Sequence, residues 1–324
     1  MKLPNVSLSW KFKRFLKLNI KDKVFVFFEY LYSWMQNRMN FRWKYFMEIN
    51  NMNNYENLLI IVAWYQEYLY DKVLTRVNNN IEDNVDVCIV TPWKKDVELM
   101  EYCKNFWWSY LYTKENKLSL AQNVAIKLHT KAKFIYKMDK DIFITKWFFT
   151  NLKEKYYLAV KNSEYIPGAI TPVININAFS YSFFLDIIWK KQEYSNKYWA
   201  IKQDCNNIGT LWEIAKYIRN NTLPIDSTQE KFFKSINIRE KYITNSVRYS
   251  IGCFMFPRDV WEDMWWFDVA FEWWLGKEEK QFLSYSINES RPIILCENSL
   301  CWHFSFWSQK LDMKEFFEKN KNLF

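Results

Sequence analysis

The sequence predicts an α/β fold, a mixed and mostly parallel sheet flanked by helices, preceded by a helical N-terminal extension. Three observations carry that expectation. From Asn57 onward, short apolar runs of strand length alternate with stretches of helical spacing, which is the pattern of βαβ units. Half of the 324 residues are hydrophobic and 20% are aromatic, which excludes a disordered or collagen-like chain and provides for a sizeable core. No run of about 18 apolar residues occurs, so no transmembrane helix is expected; the best stretch, Val24–Met35, is interrupted by Glu29.

Residues 1–54 read as basic, aromatic helices. Trp10, Phe12, Phe15, Leu16 and Leu18 alternate with Lys11, Lys13, Arg14 and Lys17. This arm holds ten Lys/Arg against three acids, a net of +7 within a total of +9. It is either a set of surface helices packed on the main domain, the commoner case, or an anchor for an anionic membrane surface or another polyanion. The remaining +2 supports no chain-wide nucleic-acid groove, although the arm leaves a nucleic-acid contact open.

Leu58–Trp64 is the first strand, followed by a polar helical stretch to Val77 that Asn78, Asn79 and Asn80 break. Val85–Val90 is the second strand, ended by Thr91 and Pro92. A helix over Val97–Cys103, a strand around Trp107–Tyr112 and a helix over Leu118–Thr130 come next, the last with apolar Leu120, Val124 and Leu128 on one side. Phe134–Met138 is the fourth strand and runs into Asp139-Lys140-Asp141. Residues 150–245 are less regular, helix-rich and aromatic. A second strand-and-helix block runs from Ser250 to the region of His303.

Glycine is scarce, 4 residues in 324, where ~7% is usual. Asparagine is expected to take many turn positions instead, since it tolerates the left-handed region. The cysteines Cys88, Cys103, Cys205, Cys253, Cys296 and Cys301 are sparse and mostly in apolar runs, so free thiols in a reducing compartment are expected. Cys296, Cys301 and His303 lack the fourth ligand and pair spacing of a zinc site. With no small-residue cleavage site after the basic stretch, a cytoplasmic location is expected, with the arm as a candidate contact to the membrane surface.

Asp139 and Asp141 carry the chemistry. Residues i and i+2 of an extended segment point to the same side, and ligands of open α/β sheets bind beyond the carboxyl ends of strands. Two such carboxylates can share a hydrated divalent cation, and hard oxygen ligands favour Mg²⁺ or Mn²⁺. Alone, D-x-D is more often a solvated loop.

The surrounding blocks narrow the choice. Lys117–Lys127 leads through the fourth strand into D-x-D; Ser250–Trp261 is a strand and helix start; Leu275–Phe282 holds Gly276, Glu278 and Glu279; Cys301–Phe306 holds His303. In this order they resemble a GT-A nucleotide-sugar glycosyltransferase, family 2-like, over roughly residues 55–310. Gly252 and Gly276 lie inside these blocks, which suggests backbone positions where a Cβ does not fit.

The resemblance implies a GT-A-like domain over 55–324, with a nucleotide-sugar-binding half (55–149), an acceptor-side half with a helical insertion (150–310) and a C-terminal tail (311–324). It implies a metal-dependent transferase moving a sugar from a nucleoside diphosphate sugar to the hydroxyl of a glycan or other acceptor, with inversion. Asp139, Asp141 and His303 would hold Mn²⁺ or Mg²⁺, and Glu278 or Glu279 would be the base. Adjacent helical residues diverge by about 100°, so only one of the two should reach the acceptor. Ala63, Trp64, Asp96, Asn123, Lys127 and Lys140 would line the donor, and Trp273 and Trp274 the acceptor. The sequence departs from the family at Lys140, a cation inside the metal motif, and at Lys277 and Lys280 around the acids. The second strand also ends without the usual acidic pair, leaving Asp96 as a substitute. His129 reads as structural. Two alternatives stay open: a nucleic-acid-binding or DNA-modifying glycosyltransferase that uses the arm, and an inactive glycan-binding relative.

Overall fold

The computed structural model describes residues 44–198, 211–235, 243–245, 249, 251–269, 277–305 and 309–324, together with Ile208 and scattered helical positions between 19 and 38. Ten strands form one mixed sheet in the order β1-β4-β3-β2-β5-β9-β7-β10-β6, with β8 pairing to β10. The strands are β1 (Tyr45–Ile49), β2 (Asn57–Val62), β3 (Val85–Thr91), β4 (Ser109–Thr113), β5 (Phe134–Asp139), β6 (Ile142–Phe143), β7 (Ala169–Ile174), β8 (Ile243–Asn245), β9 (Cys253–Pro257) and β10 (Ile293–His303).

The expected alternation is present. β4, β3, β2 and β5 are mutually parallel, connected by helices Tyr70–Asn80, Val97–Asn105 and Leu118–Leu128. Each of the three inner strands β2, β3 and β5 is buried on both faces and mostly apolar, as a parallel sheet covered by helices requires. β9 then joins β5 antiparallel, and β7 and β10 return to the parallel direction beyond it. The carboxyl ends of β2, β3, β5, β7 and β10 and the amino end of β9 therefore share one edge of the sheet.

Besides the short strands β6 and β8, two elements depart from the sequence expectation. β1 lies inside the segment expected to be a helical extension. Tyr45, Met47 and Ile49 alternate with more exposed residues, and the strand closes the sheet by pairing antiparallel with β4. The other is β7, a fully buried strand in the stretch expected to be helix-rich. Pro172 disguises it, because proline removes a ladder donor; its place lies past the single β7–β9 bridge at Ile170 and Met255.

Ten described residues other than glycine have positive φ. Asn54 and Asn84 meet the expectation for asparagine, but six of the ten are tryptophans. Of the glycines, Gly168 is a close approach: a Cβ there would stand 2.6 Å from the carbonyl oxygen of Arg291. Cys88, Cys103, Cys253, Cys296 and Cys301 are free and buried. Among the described residues no helix is long and apolar enough to cross a membrane.

Candidate active site

β5 delivers Asp139 to the carboxyl edge, and the chain turns at once into β6. There Ile142 pairs with His303 and Phe143 with Trp302, the last residues of β10. This antiparallel clasp is what brings Asp141 to His303, 162 positions apart in the numbering: His303 Nε2 lies 3.6 Å from Asp141 Oδ2. At that distance the contact is electrostatic, longer than a hydrogen bond. Both oxygens of Asp141 are buried and have no hydrogen-bond partner. Burial pushes the Asp141 carboxyl up, but the His303 imidazole and the Lys140 ammonium outweigh it and hold the group below its ordinary value. The His303 ring is set by its own backbone: its N–H donates to Asn175 Oδ1 at 2.8 Å, and Nδ1 lies 3.3 Å from the carbonyl of Ile176.

Asp139 sits differently. Its Oδ1 accepts from Lys137 Nζ at 2.6 Å, and Lys137 also donates to the carbonyl of Ile251 at 2.9 Å. The Asp139 N–H donates to the carbonyl of Gly252 at 2.8 Å. A Cβ on Gly252 would lie 3.3 Å from Asp139 Oδ2, so glycine here leaves the carboxylate room. Gly276 lies outside the described residues.

Lys140, between the two acids in the chain, is buried. Its Nζ donates to Gln66 Oε1 at 3.1 Å and rests 2.9 Å from the centre of the Tyr65 ring. Burial lowers its pKa to about 8, against the opposing pull of Asp141 and Asp139. Gln66 in turn donates to Ser305 Oγ at 3.2 Å, tying the segment after β2 to the segment after β10.

A third cation, Arg219, reaches the same place from helix Trp212–Asn220. It is fully buried. Its guanidinium donates to the carbonyl of His303 and lies 4.8 Å from the centre of the Phe304 ring. Nε and Nη1 have no hydrogen-bond partner. Burial lowers its pKa to about 9, with Asp141 opposing. Nothing in the sequence marked Arg219, Lys137, Tyr65 or Gln66; the isolated arginine of an irregular helical segment carries no motif.

Glu278 and Glu279 open helix Lys277–Asn288 and are both buried. Glu278 lies within electrostatic reach of Lys137 and Asp139, and burial pushes its carboxyl up against the pull of Lys137. Its Oε2 has no hydrogen-bond partner.

The remaining predicted donor residues divide. Ala63 and Trp64 follow β2 at the carboxyl edge, beside Tyr65. Asp96 caps helix Val97–Asn105 through Leu99 N–H and accepts from Tyr70. Asn123 is occupied inside the fold: its oxygen accepts from Trp261 Nε1 and Phe267 N–H, and its nitrogen donates to the Phe267 carbonyl. Lys127 ends helix Leu118–Leu128, which runs back toward the start of β5, so it stands at the far end of the strand from Asp139. Trp273 and Trp274 lie outside the described residues. His129 is structural, its Nδ1 lying 2.8 Å from the carbonyl of Ala125.

Among the described residues no three of His, Cys, Asp and Glu come together closely enough to hold a metal ion. The Asp141–His303 pair is the part of the expected trio that assembles. Its chemistry, a buried carboxylate without hydrogen bonds facing an imidazole nitrogen, suits a hard or borderline divalent cation.

No family model matches the chain, and no curated protein matches it. Solved structures do. GalNAc-T7 with UDP, GalNAc and Mn²⁺ is similar at 10% identity and a TM-score of 0.47, over 79% of this chain and 45% of that one. Mannosyltransferase PcManGT from Pyrobaculum calidifontis, in complex with GDP-Man and Mn²⁺, is similar at 11% identity and 0.45, over 84% and 63%. S. aureus TarS 1–349 in complex with UDP-GlcNAc is similar at 17% identity and 0.29, over 36% and 34%. The chain thus spans under two thirds of each of these structures.

Proposed function

We propose that the protein is a nucleotide-sugar glycosyltransferase of the GT-A type, dependent on a divalent metal and inverting. The observation that carries this reading is the buried Asp141 carboxylate, without hydrogen bonds, facing His303 at the carboxyl edge of the sheet and surrounded by Lys140 and Arg219. A leaving diphosphate needs positive charge around it, and a buried carboxylate held ionised among cations suits a site that takes one more cation with its anionic substrate.

Asp141 and His303 would hold Mn²⁺ or Mg²⁺, with Asp139 turned toward a ribose hydroxyl or metal-bound water. Bound there, the ion would neutralise charge on the leaving diphosphate. Arg219, with Nε and Nη1 unpartnered, and Lys140 supply donors for the phosphates. Glu278 takes the proton of the acceptor hydroxyl as the acceptor oxygen bonds to the anomeric carbon. The bond from that carbon to the phosphate oxygen breaks and its electron pair leaves with the diphosphate, inverting the centre. The upward pKa of Glu278 suits a base, since a carboxylate with a higher pKa accepts a proton more readily.

A panel of sugar nucleotides with Mn²⁺, scored by release of nucleoside diphosphate, tests the reading. Turnover with at least one donor is expected, abolished by EDTA and by Asp141→Ala while circular dichroism stays unchanged. Wild-type turnover in Asp141→Ala, or turnover indifferent to EDTA, would remove the metal role.

The arm supports a peripheral membrane contact as an addition to this function. Ile20, Val24, Phe27, Phe28 and Leu31 repeat at helical spacing and are exposed, on a segment of net charge +7. An apolar stripe within a basic segment suits an anionic lipid interface. The full chain should co-sediment with anionic vesicles at low salt and be released at high salt; no binding at low salt would reduce the arm to a cap.

A further inference from the structure

Among the described tryptophans, two groups stand apart, with Trp34, Trp64 and Trp212 in neither. Trp108, Trp261 and Trp302 are buried with ordinary backbone. Trp261 places its Nε1 on Asn123 at 2.9 Å, and Trp302 packs edge-on against Phe184. The other population is Trp93, Trp107, Trp147, Trp189, Trp265 and Trp266, all at φ between 58° and 76°. All of them except Trp266, which is half-buried, expose the ring to solvent, Trp189 at 86%. The largest apolar side chain is thereby spent on water, in a backbone region that bulky L-residues avoid.

At four of these places the hydrogen bonding as well as φ is that of a glycine position; at Trp147, a helix N-cap, and at Trp266 it is φ alone. Three helices end in the same hydrogen-bonded cap, with tryptophan one residue past the C-cap. After helix Val97–Asn105, Trp107 N–H donates to Lys104 and Trp108 N–H to Cys103. Beyond helix Tyr181–Ile187, Trp189 donates to Asp186 and Lys190 to Leu185. Helix Arg258–Asp263 ends with Trp265 donating to Glu262 and Trp266 to Trp261. This paired bonding, with a left-handed residue between, is the cap that glycine ordinarily supplies. Trp93 has φ 76° and is spanned by a bond from Lys94 N–H to the Pro92 carbonyl at 3.0 Å, the order of a γ-turn whose central residue is left-handed and strained for a bulky side chain. The chain as a whole has 18 tryptophans and 4 glycines.

We propose that these six positions are glycine in the protein its own cell makes. One codon accounts for the pattern: UGA stands for tryptophan in some genetic codes and for glycine in others. A gene that uses UGA for glycine, written with the tryptophan meaning, would place tryptophan where the backbone demands glycine and leave tryptophans encoded by UGG in the core. The consequence for binding is direct. The exposed rings form no stacking surface for sugar or lipid, and the turn after β3 at the carboxyl edge carries no ring at all.

Two measurements on the full chain test this. Peptide mass spectrometry of the protein purified from its own cells should show peptides spanning Trp107 and Trp189 lighter by the difference between an indolylmethyl group and hydrogen, and unshifted peptides spanning the buried Trp302. Tryptophan masses at Trp107 and Trp189 overturn the proposal. In recombinant protein, Trp107→Gly and Trp189→Gly should each raise the folding equilibrium constant by roughly tenfold, the cost of one left-handed L-residue, while Trp302→Gly lowers it. Lower stability in both cap variants would also overturn it, because tryptophan would then be the residue those caps were built around.

Discussion

As the proposed base, Glu278 would place stability and chemistry in opposition within one side chain. Burial raises its pKa above the ordinary 4.5, so the folded chain holds this proton when the unfolded chain has released it. Stability therefore falls as pH rises from 4.5 through the folded value, and the penalty is complete above it. Glu278→Gln should abolish transfer and leave nucleoside diphosphate binding intact in calorimetry. It should also unfold at higher temperature than wild type at pH 7, and the difference should vanish below pH 4.5. If Glu278 is the base, the wild-type rate should decline on acidification at a pH above 4.5, because the base must be ionised. A variant that keeps full transfer assigns the base elsewhere. The positions of the acids and His303 at one edge were legible in the sequence, because Asp139 and His303 close strands, Asp141 follows in the turn after β5, and Glu278 and Glu279 open a helix. Their electrostatic partners were not. Lys137 reads as an ordinary strand residue until its ammonium is seen on Asp139, and Arg219 acts on a carbonyl 84 residues away.

At the scale of elements, the alternation from β2 to β5 was legible because apolar runs of strand length are separated by helical spacing and by Asn and Pro breaks. β1 was not, since its alternation of half-buried and exposed residues lies inside a basic, aromatic segment that also suits a helix. This decides where the arm can be cut. A chain starting near Met52 loses β1 and bares the edge of β4. It also loses the bond from Asn51 N–H to Ser109 Oγ, and it starts right beside the Asn53 and Tyr55 N–H groups that donate to Asp86 at 2.7 and 2.8 Å. An exposed edge strand is a template for aggregation. The chain cut at Met52 should be insoluble or aggregate in size-exclusion chromatography, whereas one starting before Lys44 should remain monodisperse with unchanged turnover. A soluble, active chain from Met52 would show that β1 is dispensable.

For the whole molecule, the proposed site joins distant parts of one chain: Asp139 and Asp141 from β5 and the turn after it, Arg219 from the helical segment, Glu278 and His303 from the last third. Ligand that bridges these parts should stabilise all of them together. At 100 times its Kd, nucleoside diphosphate with Mn²⁺ should add about 2.7 kcal/mol to folding by mass action, read as a rise in Tm that EDTA reverses. Asp141→Ala should show no such rise. A rise of equal size without metal would assign the phosphates to Arg219 and Lys140 alone. The sheet's overall class followed from patterning, but the reversal at β9 did not, because strand direction is decided by the length and path of connections that the sequence does not display.

That reversal leaves β5 waiting. Its ladder partner on one side, Cys253–Pro257, lies more than a hundred residues downstream. At ~5–20 residues per second of synthesis, the nascent chain shows an unpaired central strand for roughly 10 s. Phe134, Ile135, Tyr136 and Met138 make this strand apolar enough to pair with a neighbouring nascent chain. Lys137 is the charged residue among them, and a charge pointing inward on an open edge discourages such pairing. The lysine that later steadies Asp139 thus serves earlier as a guard on the ribosome, and the hazard passes when β9 arrives to cover it.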